Sequence, residues 1–292
     1  MVKHPIFRIS IILIPFLSLQ KKMYPHIPHL KNTDTKSFFL IAGTCVVESE
    51  EITYQTAHRL QQITNRLGIP FIFKASFRKA NRTRIDSYTG MGDEIALGIL
   101  SKVGKELNLP LLTDIHESHE ASIAAEYVDI LQIPAFLCRQ TDLLVAAAKT
   151  HKVVNVKKGQ FSSPEAMKFA VEKIFNSGNS NIMLTERGTS LGYSDLVVDY
   201  RGIPTMKNFG YPVVMDITHS VQQPNQSSGV TGGRPELIAT IAKAAIATGA
   251  DGIFLETHPN PEEALSDGAN MISLDKVEAL LQQLLKIRHA VI

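Results

Sequence analysis

Between Lys74 and Arg84 the chain reads KASFRKANRTR, five cations in eleven residues, with Ser76, Asn81 and Thr83 set among them. The run begins where the apolar segment 69–73 ends, and a Gly90-Met91-Gly92 turn follows it. Charge runs are commonly no more than solvated faces. This one starts where a buried strand ends and gathers donors of several geometries, which suits a small ligand with phosphate and carboxylate groups. Lys157 and Arg187 follow later apolar runs. With Lys74 and Lys79 they would balance about three negative charges, as on a phosphorylated carboxylic acid. A lone lysine at a strand end usually snorkels to solvent, so the argument rests on the four arriving together.

A second set is Cys45, His219, Glu256 and Asp267, with His258 nearby. A thiol, an imidazole and two carboxylates would suit a divalent transition metal such as Zn²⁺, Fe²⁺ or Mn²⁺, and the soft sulfur disfavours Mg²⁺. Spacing does not decide the matter. No two of the four stand as close as a metal finger requires, a lone Cys is usually a small core hydrophobe, and a lone His is usually just hydrogen-bonded. Residues 229–233, with Gly232-Gly233-Arg234 before a helix, would hold an anion at the helix N-terminus or serve as a plain loop and helix start.

The elements that must position these groups are periodic. Apolar runs at 38–42, 70–73, 111–113, 128–133, 153–156, 181–184, 213–217 and 252–255 alternate with helical patterns. Those patterns fall near 50–67, 93–107, 118–125, 141–150, 164–176, Ser194, 234–248 and 274–287. Continuous apolar strands alternating with helices predict a parallel sheet covered by helices, and eight such units predict a closed (β/α)₈ TIM barrel; an open doubly wound sheet is the competitor. Each run turns polar at its C-terminal end: Cys45 and Glu48, Lys74 and Ser76, Asp114 and His116, Gln132, Lys157, Glu186 and Arg187, His219, Glu256 and His258. In a barrel those ends converge on one mouth. Period-two alternation puts Asn155 and Lys157 on one face and Lys158 on the other, so Lys157 is expected inside.

At 292 residues and 44% hydrophobic composition the chain is long enough for one large α/β domain, with no linker or short-period repeat. A net charge of +2, without a basic face interleaved with aromatics, argues against nucleic acid. Two cysteines without framework spacing predict an intracellular, cytoplasmic protein. The segment 1–19 has a short apolar run broken by Pro15, too short to span a bilayer and without a convincing cleavage site. Translation starting at Met23 is the preferred explanation. Residues 1–30 are therefore expected to be a peripheral extension and 31–292 the barrel domain.

Seven segments carry a family resemblance: IAGTCVVES (41–49), KASFRKANR (74–82), QIPAFLCRQTD (132–142), NVKKGQF (155–161), ERG (186–188), DITHS (216–220) and ETHP (256–259). In order and with few gaps, from about Phe38 to about Ile287, they resemble 3-deoxy-D-manno-octulosonate 8-phosphate synthase. The resemblance implies condensation of phosphoenolpyruvate with D-arabinose 5-phosphate, for lipopolysaccharide, by a homotetrameric (β/α)₈ barrel. It implies that Lys74, Ser76, Lys79, Lys157 and Arg187 hold phosphoenolpyruvate. Asn81, Arg82 and Thr83 would receive the pentose phosphate, with Asp114 near its hydroxyls, and Gln132 belongs to the same substrate-binding set. Phe136 and Arg139 would help across a subunit boundary. The family resembles two classes, one with Cys at position 45 that binds a divalent metal and one with Asn that does not. This chain has Cys45, with His219, Glu256 and Asp267 in the matching places.

By that resemblance Cys45 and His219 would hold a metal that polarises the aldehyde or orients water, and Lys79 would donate a proton to the developing alkoxide. No Schiff base is needed, because phosphoenolpyruvate already carries its enol. The chain departs from the motifs at Thr44, commonly Pro, at Thr83, usually Ser, and in a short loop after Gln222-Gln223. Two alternatives have different consequences. The sister enzyme of aromatic biosynthesis uses erythrose 4-phosphate and carries Lys-Pro-Arg-Thr-Ser where this chain has Lys74-Ala75-Ser76-Phe77. A non-catalytic sugar-phosphate-binding barrel would bind without releasing phosphate.

Overall fold

The eight apolar runs become eight parallel strands: β1 Phe39–Gly43, β2 Phe71–Lys74, β3 Leu111–Asp114, β4 Ile130–Ile133, β5 Val153–Lys157, β6 Ile182–Glu186, β7 Val213–Asp216 and β8 Gly252–His258. They are seen in a computed structural model that describes residues 25–82, 84–227 and 231–291. The segment 1–19, Met23, Thr83 and Gly229 lie outside the described residues. Each strand pairs with the next, and β8 pairs back onto β1 in the register Phe39 with Gly252 through Gly43 with Glu256. That last pairing closes the barrel and excludes an open sheet.

Among the described residues eight α-helices cover the outside: α1 Glu50–Leu67, α2 Asp93–Leu107, α3 Glu120–Ala124, α4 Thr141–Lys149, α5 Met167–Asn176, α6 Gly202–Lys207, α7 Ile238–Ala247 and α8 Val277–Val291. The longest, α1, shows why its bounds are where they are. Ser49 Oγ accepts from Ile52 N at 3.1 Å, Glu50 and Glu51 meet the positive end of the helix dipole, and Gly68 ends it in the left-handed region at φ 64°. Leu60 and Ile63 on its inner face are fully buried.

One prediction fails locally. Around Ser194 the chain forms not a helix but a β-hairpin, Thr189–Leu191 against Asp195–Val197, with Gly192 at φ 65° in its turn. The sixth helix begins only at Gly202. Two short strands joined through a left-handed glycine leave no room for i to i−4 bonding.

Strand alternation divides the core in two. One face of each strand packs outward against the helices; the other fills the barrel with Phe39, Ile41, Ile72, Leu112, Ile130, Val153, Met183, Val214 and Phe254. Ile27 joins this inner cluster and Leu30 packs against it, so two residues of the stretch expected to be peripheral are packed against the barrel interior. Above the apolar layer the interior turns polar. Thr185 Oγ1 donates to Asn155 Oδ1 (2.8 Å), Asn155 Nδ2 to Gln132 Oε1 (2.8 Å) and Gln132 Nε2 to Asp114 Oδ1 (2.7 Å). A chain of fully buried amides is tolerated because its members satisfy one another. It forms the floor of the mouth.

Candidate active site

The strand ends surround a cavity of about 300 Å³ at the C-terminal mouth, lined by residues that include Cys45, Lys74, Lys79, Asp114, Lys157, Arg187, His219, Glu256 and Asp267. The close approach of β1 and β2 beneath it requires glycine at position 43, where a Cβ would lie 2.0 Å from the Lys74 carbonyl oxygen.

All four predicted cations reach this cavity, and three are already paired. Lys74 Nζ donates to Glu256 Oε1 at 2.6 Å and to the Cys45 carbonyl at 3.0 Å. Lys157 Nζ donates to Asp216 Oδ2 at 2.8 Å and lies 3.9 Å from the Phe254 ring centroid. Lys79 Nζ donates to Asp267 Oδ2, and at 3.1 Å to Cys45 Sγ. Arg187 gives Nη2 to Gln222 Oε1 at 2.7 Å, while Nη1 has no partner among the described residues. Arg187 therefore offers an anion a free donor edge, and Lys157 keeps ammonium hydrogens unspent.

Charges within the cluster hold its acids ionised. Burial alone would raise Asp114, Asp216, Glu256 and Asp267; neighbouring cations outweigh it in every case. Lys74 and Lys157 act chiefly on Asp114, His219 and Lys157 on Asp216, Lys74 and His219 on Glu256, and Lys79 and His219 on Asp267. The opposite holds at Cys45: burial, then the charge of Glu256, push its thiol up from 9.0 to about 12. Burial works against the Lys79 ammonium, but Cys45, Asp267 and Glu256 more than reverse it and raise its pKa well above the usual range.

Ligand atoms of Cys45, Glu256 and Asp267 all lie within 4.8 Å of one another. His219 adds Nε2, 3.6 Å from Glu256 Oε2, and its Nδ1 lies 2.8 Å from Asp216 Oδ2. An ionised carboxylate only accepts, so Nδ1 carries the proton in that contact and Nε2 faces the cluster. One sulfur, one nitrogen and two carboxylates fit a divalent transition metal better than Mg²⁺. Lys79 and Lys74 favour the ionised form of the Cys45 thiol, but burial and Glu256 outweigh them.

The remaining predicted residues divide. Ser76 lines the cavity and donates to Asp114 Oδ2 at 2.5 Å. Asn81, Arg82 and Phe136 also line it; Phe136 is 55% exposed, and Arg82 braces its own loop through the carbonyls of Ile85 (3.0 Å) and Ser87 (3.1 Å). Gln132 does not line it: fully buried, it belongs to the polar floor under Asp114. Arg139 is exposed and outside the cavity lining, and Thr83 lies outside the described residues. Alternation holds at β5, where Lys158 faces away and is buried against the carbonyls of Gly188 (3.1 Å) and Ser162 (3.3 Å).

One residue of the site has no role in the sequence reading: Asp216 orients His219 and pairs Lys157, and it stands three residues before His219, a spacing that alone says little. His116, one of the polar strand-end residues, lines the cavity edge-on to Phe77, and burial lowers its pKa.

The sequence profile of the DAHP synthetase I family matches residues 20–291. The chain belongs to this family. It is 54% identical over 263 residues to a 2-dehydro-3-deoxyphosphooctonate aldolase of Cyanothece sp., covering 90% of this chain and 96% of that protein. Relatives of the same name from Trichlorobacter lovleyi (56% identical; 84% and 90% covered) and Koribacter versatilis (53%; 87% and 92%) agree. The family assignment and the (β/α)₈ barrel expected from the motifs are thus the ones found.

Proposed function

We propose that this chain condenses phosphoenolpyruvate with D-arabinose 5-phosphate, releasing phosphate and forming 3-deoxy-D-manno-octulosonate 8-phosphate for lipopolysaccharide. The observation that carries this reading is the gathering of Lys74, Lys79, Lys157 and Arg187 around one cavity beside the Cys45, His219, Glu256 and Asp267 cluster. Identity of more than half to near-full-length relatives named for the eight-carbon product favours it over the erythrose 4-phosphate reaction.

Arg187, through its free Nη1, and Lys157, through its remaining hydrogens, are the donors we assign to the carboxylate and phosphate of phosphoenolpyruvate, with Lys74 and Ser76 beside them. Asn81, Arg82 and Thr83 are assigned to the pentose phosphate, and Asp114, held ionised, to its hydroxyls. Gln132 acts from beneath, fixing Asp114. Phe136 and Arg139 are assigned to the neighbouring subunit's cavity in a homotetramer, which accounts for an exposed aromatic at the rim and an arginine outside the cavity of its own chain.

Cys45, His219, Glu256 and Asp267 would hold a Zn²⁺, Fe²⁺ or Mn²⁺ ion. Such an ion supplies Lewis-acid polarisation of the aldehyde or orientation of water. Four cations, Lys74, Lys79, Lys157 and Arg187, lie among four carboxylates, Asp114, Asp216, Glu256 and Asp267, so a divalent ion would add to the charge these groups offer an anionic substrate. As the aldehyde oxygen gains charge, Lys79, whose Nζ lies 3.1 Å from Cys45 Sγ at the edge of the cluster, is the proton donor we assign to the developing alkoxide. Among the described residues no helix is long and apolar enough to cross a membrane, and we place the enzyme in the cytoplasm.

The test is phosphate release from phosphoenolpyruvate with arabinose 5-phosphate, with erythrose 4-phosphate in parallel, before and after chelation and after Mn²⁺ or Zn²⁺ is restored. Release with the pentose phosphate, lost on chelation and recovered with metal, is expected. Preference for erythrose 4-phosphate would assign the sister reaction, and binding without release would make the barrel a sensor. Activity in a sample shown by elemental analysis to be metal-free would remove the ion and leave the condensation.

A further inference from the structure

Asp267 reaches Cys45 and Lys79 from the loop after β8, and little apolar packing holds that loop in place. From Pro261 to Ala269 every residue is at least partly exposed, and Leu265 is 49% exposed. Asp267 itself sits at φ 52°, in the left-handed region, a conformation that persists only when the surroundings impose it. Something other than apolar burial must fix this loop.

The buried partner is Glu48, just beyond β1. Its side chain is 4% exposed, Oε1 accepts from Leu265 N at 2.9 Å, and Oε2 lies 3.4 Å from Nε2 of His258, itself 3% exposed. His258 Nδ1 is 2.7 Å from the Asn260 carbonyl and 3.0 Å from its N–H, at the start of the same loop. Glu48 stands three residues after Cys45, and Leu265 two before Asp267, so one buried carboxylate ties together the elements that carry two of the ligand atoms. We infer that Glu48 is a positioning residue: through its bond to Leu265 N it clamps the Asp267 loop so that the Asp267 carboxylate meets Cys45. The consequence for metal uptake rests on the ligand set proposed above; the clamp itself does not.

Two measurements on full-length enzyme test this. Amide hydrogen exchange over 259–268 should accelerate in Glu48→Ala while β1 and β2 stay protected, and Glu48→Gln, which keeps an acceptor for Leu265 N, should stay close to wild type. Co²⁺ affinity by chelator competition should fall about 10- to 100-fold in Glu48→Ala, the range for groups bonded behind metal ligands. Added to Asp267→Ala, the same substitution should cost nothing further, because it acts through Asp267. If Glu48→Ala does not fold, Glu48→Asp keeps the charge but falls short of Leu265 and should give the same two results. Unchanged exchange in the loop, or penalties that add in the double variant, would overturn the assignment. A wild-type enzyme that takes up no Co²⁺ would sink the ligand set, while the exchange measurement would still decide the clamp.

Discussion

Asp216→Asn is the most informative single substitution. Asp216 is fully buried at the end of β7. Its Oδ1 accepts from Thr218 N (3.2 Å), Thr218 Oγ1 (3.1 Å) and His219 N (2.9 Å), and its Oδ2 from Lys157 Nζ (2.8 Å) and His219 Nδ1 (2.8 Å). At that separation and an effective dielectric of about 20, the attraction to Lys157 is about 6 kcal/mol. Desolvation takes back several kcal/mol for each ion, so the intact pair adds little net stability. Removing one charge is a different matter. The amide leaves the Lys157 ammonium buried without a counter-charge, which costs about 3–5 kcal/mol. For a chain of this size that lowers Tm by about 6–20 °C, at about 2–4 °C for each kcal/mol.

Thermal unfolding at a fixed scan rate reads the effect, and the double variant Asp216→Asn with Lys157→Met shows whether the reasoning is right. Once the lysine charge is also gone, nothing is left buried and unpaired, so the double variant should unfold at a higher temperature than Asp216→Asn alone. An Asp216→Asn enzyme melting within about 2 °C of wild type, or two penalties that simply add, would refute the account of Lys157 as a cation held by Asp216.

Asp114 governs an acid limb. Lys74 and Lys157 overcome its burial and hold its folded pKa well below the unfolded 3.8. Such a group stabilises the fold above the unfolded value, and the contribution drains away as pH falls toward the folded one. Asp114→Asn should therefore be less stable near neutrality and show a flatter fall of Tm on acidification below about pH 5; parallel curves would contradict this. Gly43→Ala should cost about 3 kcal/mol or more, since its Cβ meets the Lys74 carbonyl oxygen at 2.0 Å and backbone must move; a wild-type Tm would show that the strands adjust freely. Lys158→Met should lose about 3–5 kcal/mol by leaving the buried Glu186, 3.3 Å away, without its cation. It should also speed proteolysis of the 189–197 hairpin, whose Thr189 Oγ1 accepts from Lys158 at 3.2 Å; unchanged melting and cleavage would refute the role.

The barrel was legible because its signals are local. Apolar runs, helical periods and polar strand ends can each be read within a dozen residues, and alternation alone separated Lys157 from Lys158. The departures come from pairing and packing that periodicity does not encode. The hairpin at 189–197 was read as helix because pairing across Gly192 overrides a short helical pattern. Ile27 and Leu30 looked peripheral because their contacts are strands they precede by many residues. The motif names Gln132, but only the register of β3, β4 and β5 shows that it sits in the polar floor under Asp114.

The charges show the same division in its sharpest form. Four cations could be read from the sequence, and their number suggested an excess waiting for a substrate. Whether that excess exists depends on carboxylates from other strands: Asp216 lies 59 residues from Lys157, Glu256 lies 182 from Lys74, and Asp267 lies 188 from Lys79. Barrel closure sets the last two, by placing β1, with β2 next to it, against β8, whereas Asp216 and Lys157 come from strands on either side of β6. Once they are made, Arg187 alone among the four keeps a guanidinium edge with no partner among the described residues. Of these four, Arg187 and the spare hydrogens of the lysines are then left to attract an anionic substrate, with Arg82 at the rim and a divalent ion on the cluster adding to them. This gives Arg187→Ala a definite signature. KM for phosphoenolpyruvate should rise at least tenfold, the equivalent of about 1.4 kcal/mol for a lost charged hydrogen bond, with Tm nearly unchanged because no buried carboxylate loses its only cation. A large fall in Tm without a change in KM would show instead that the guanidinium serves the fold.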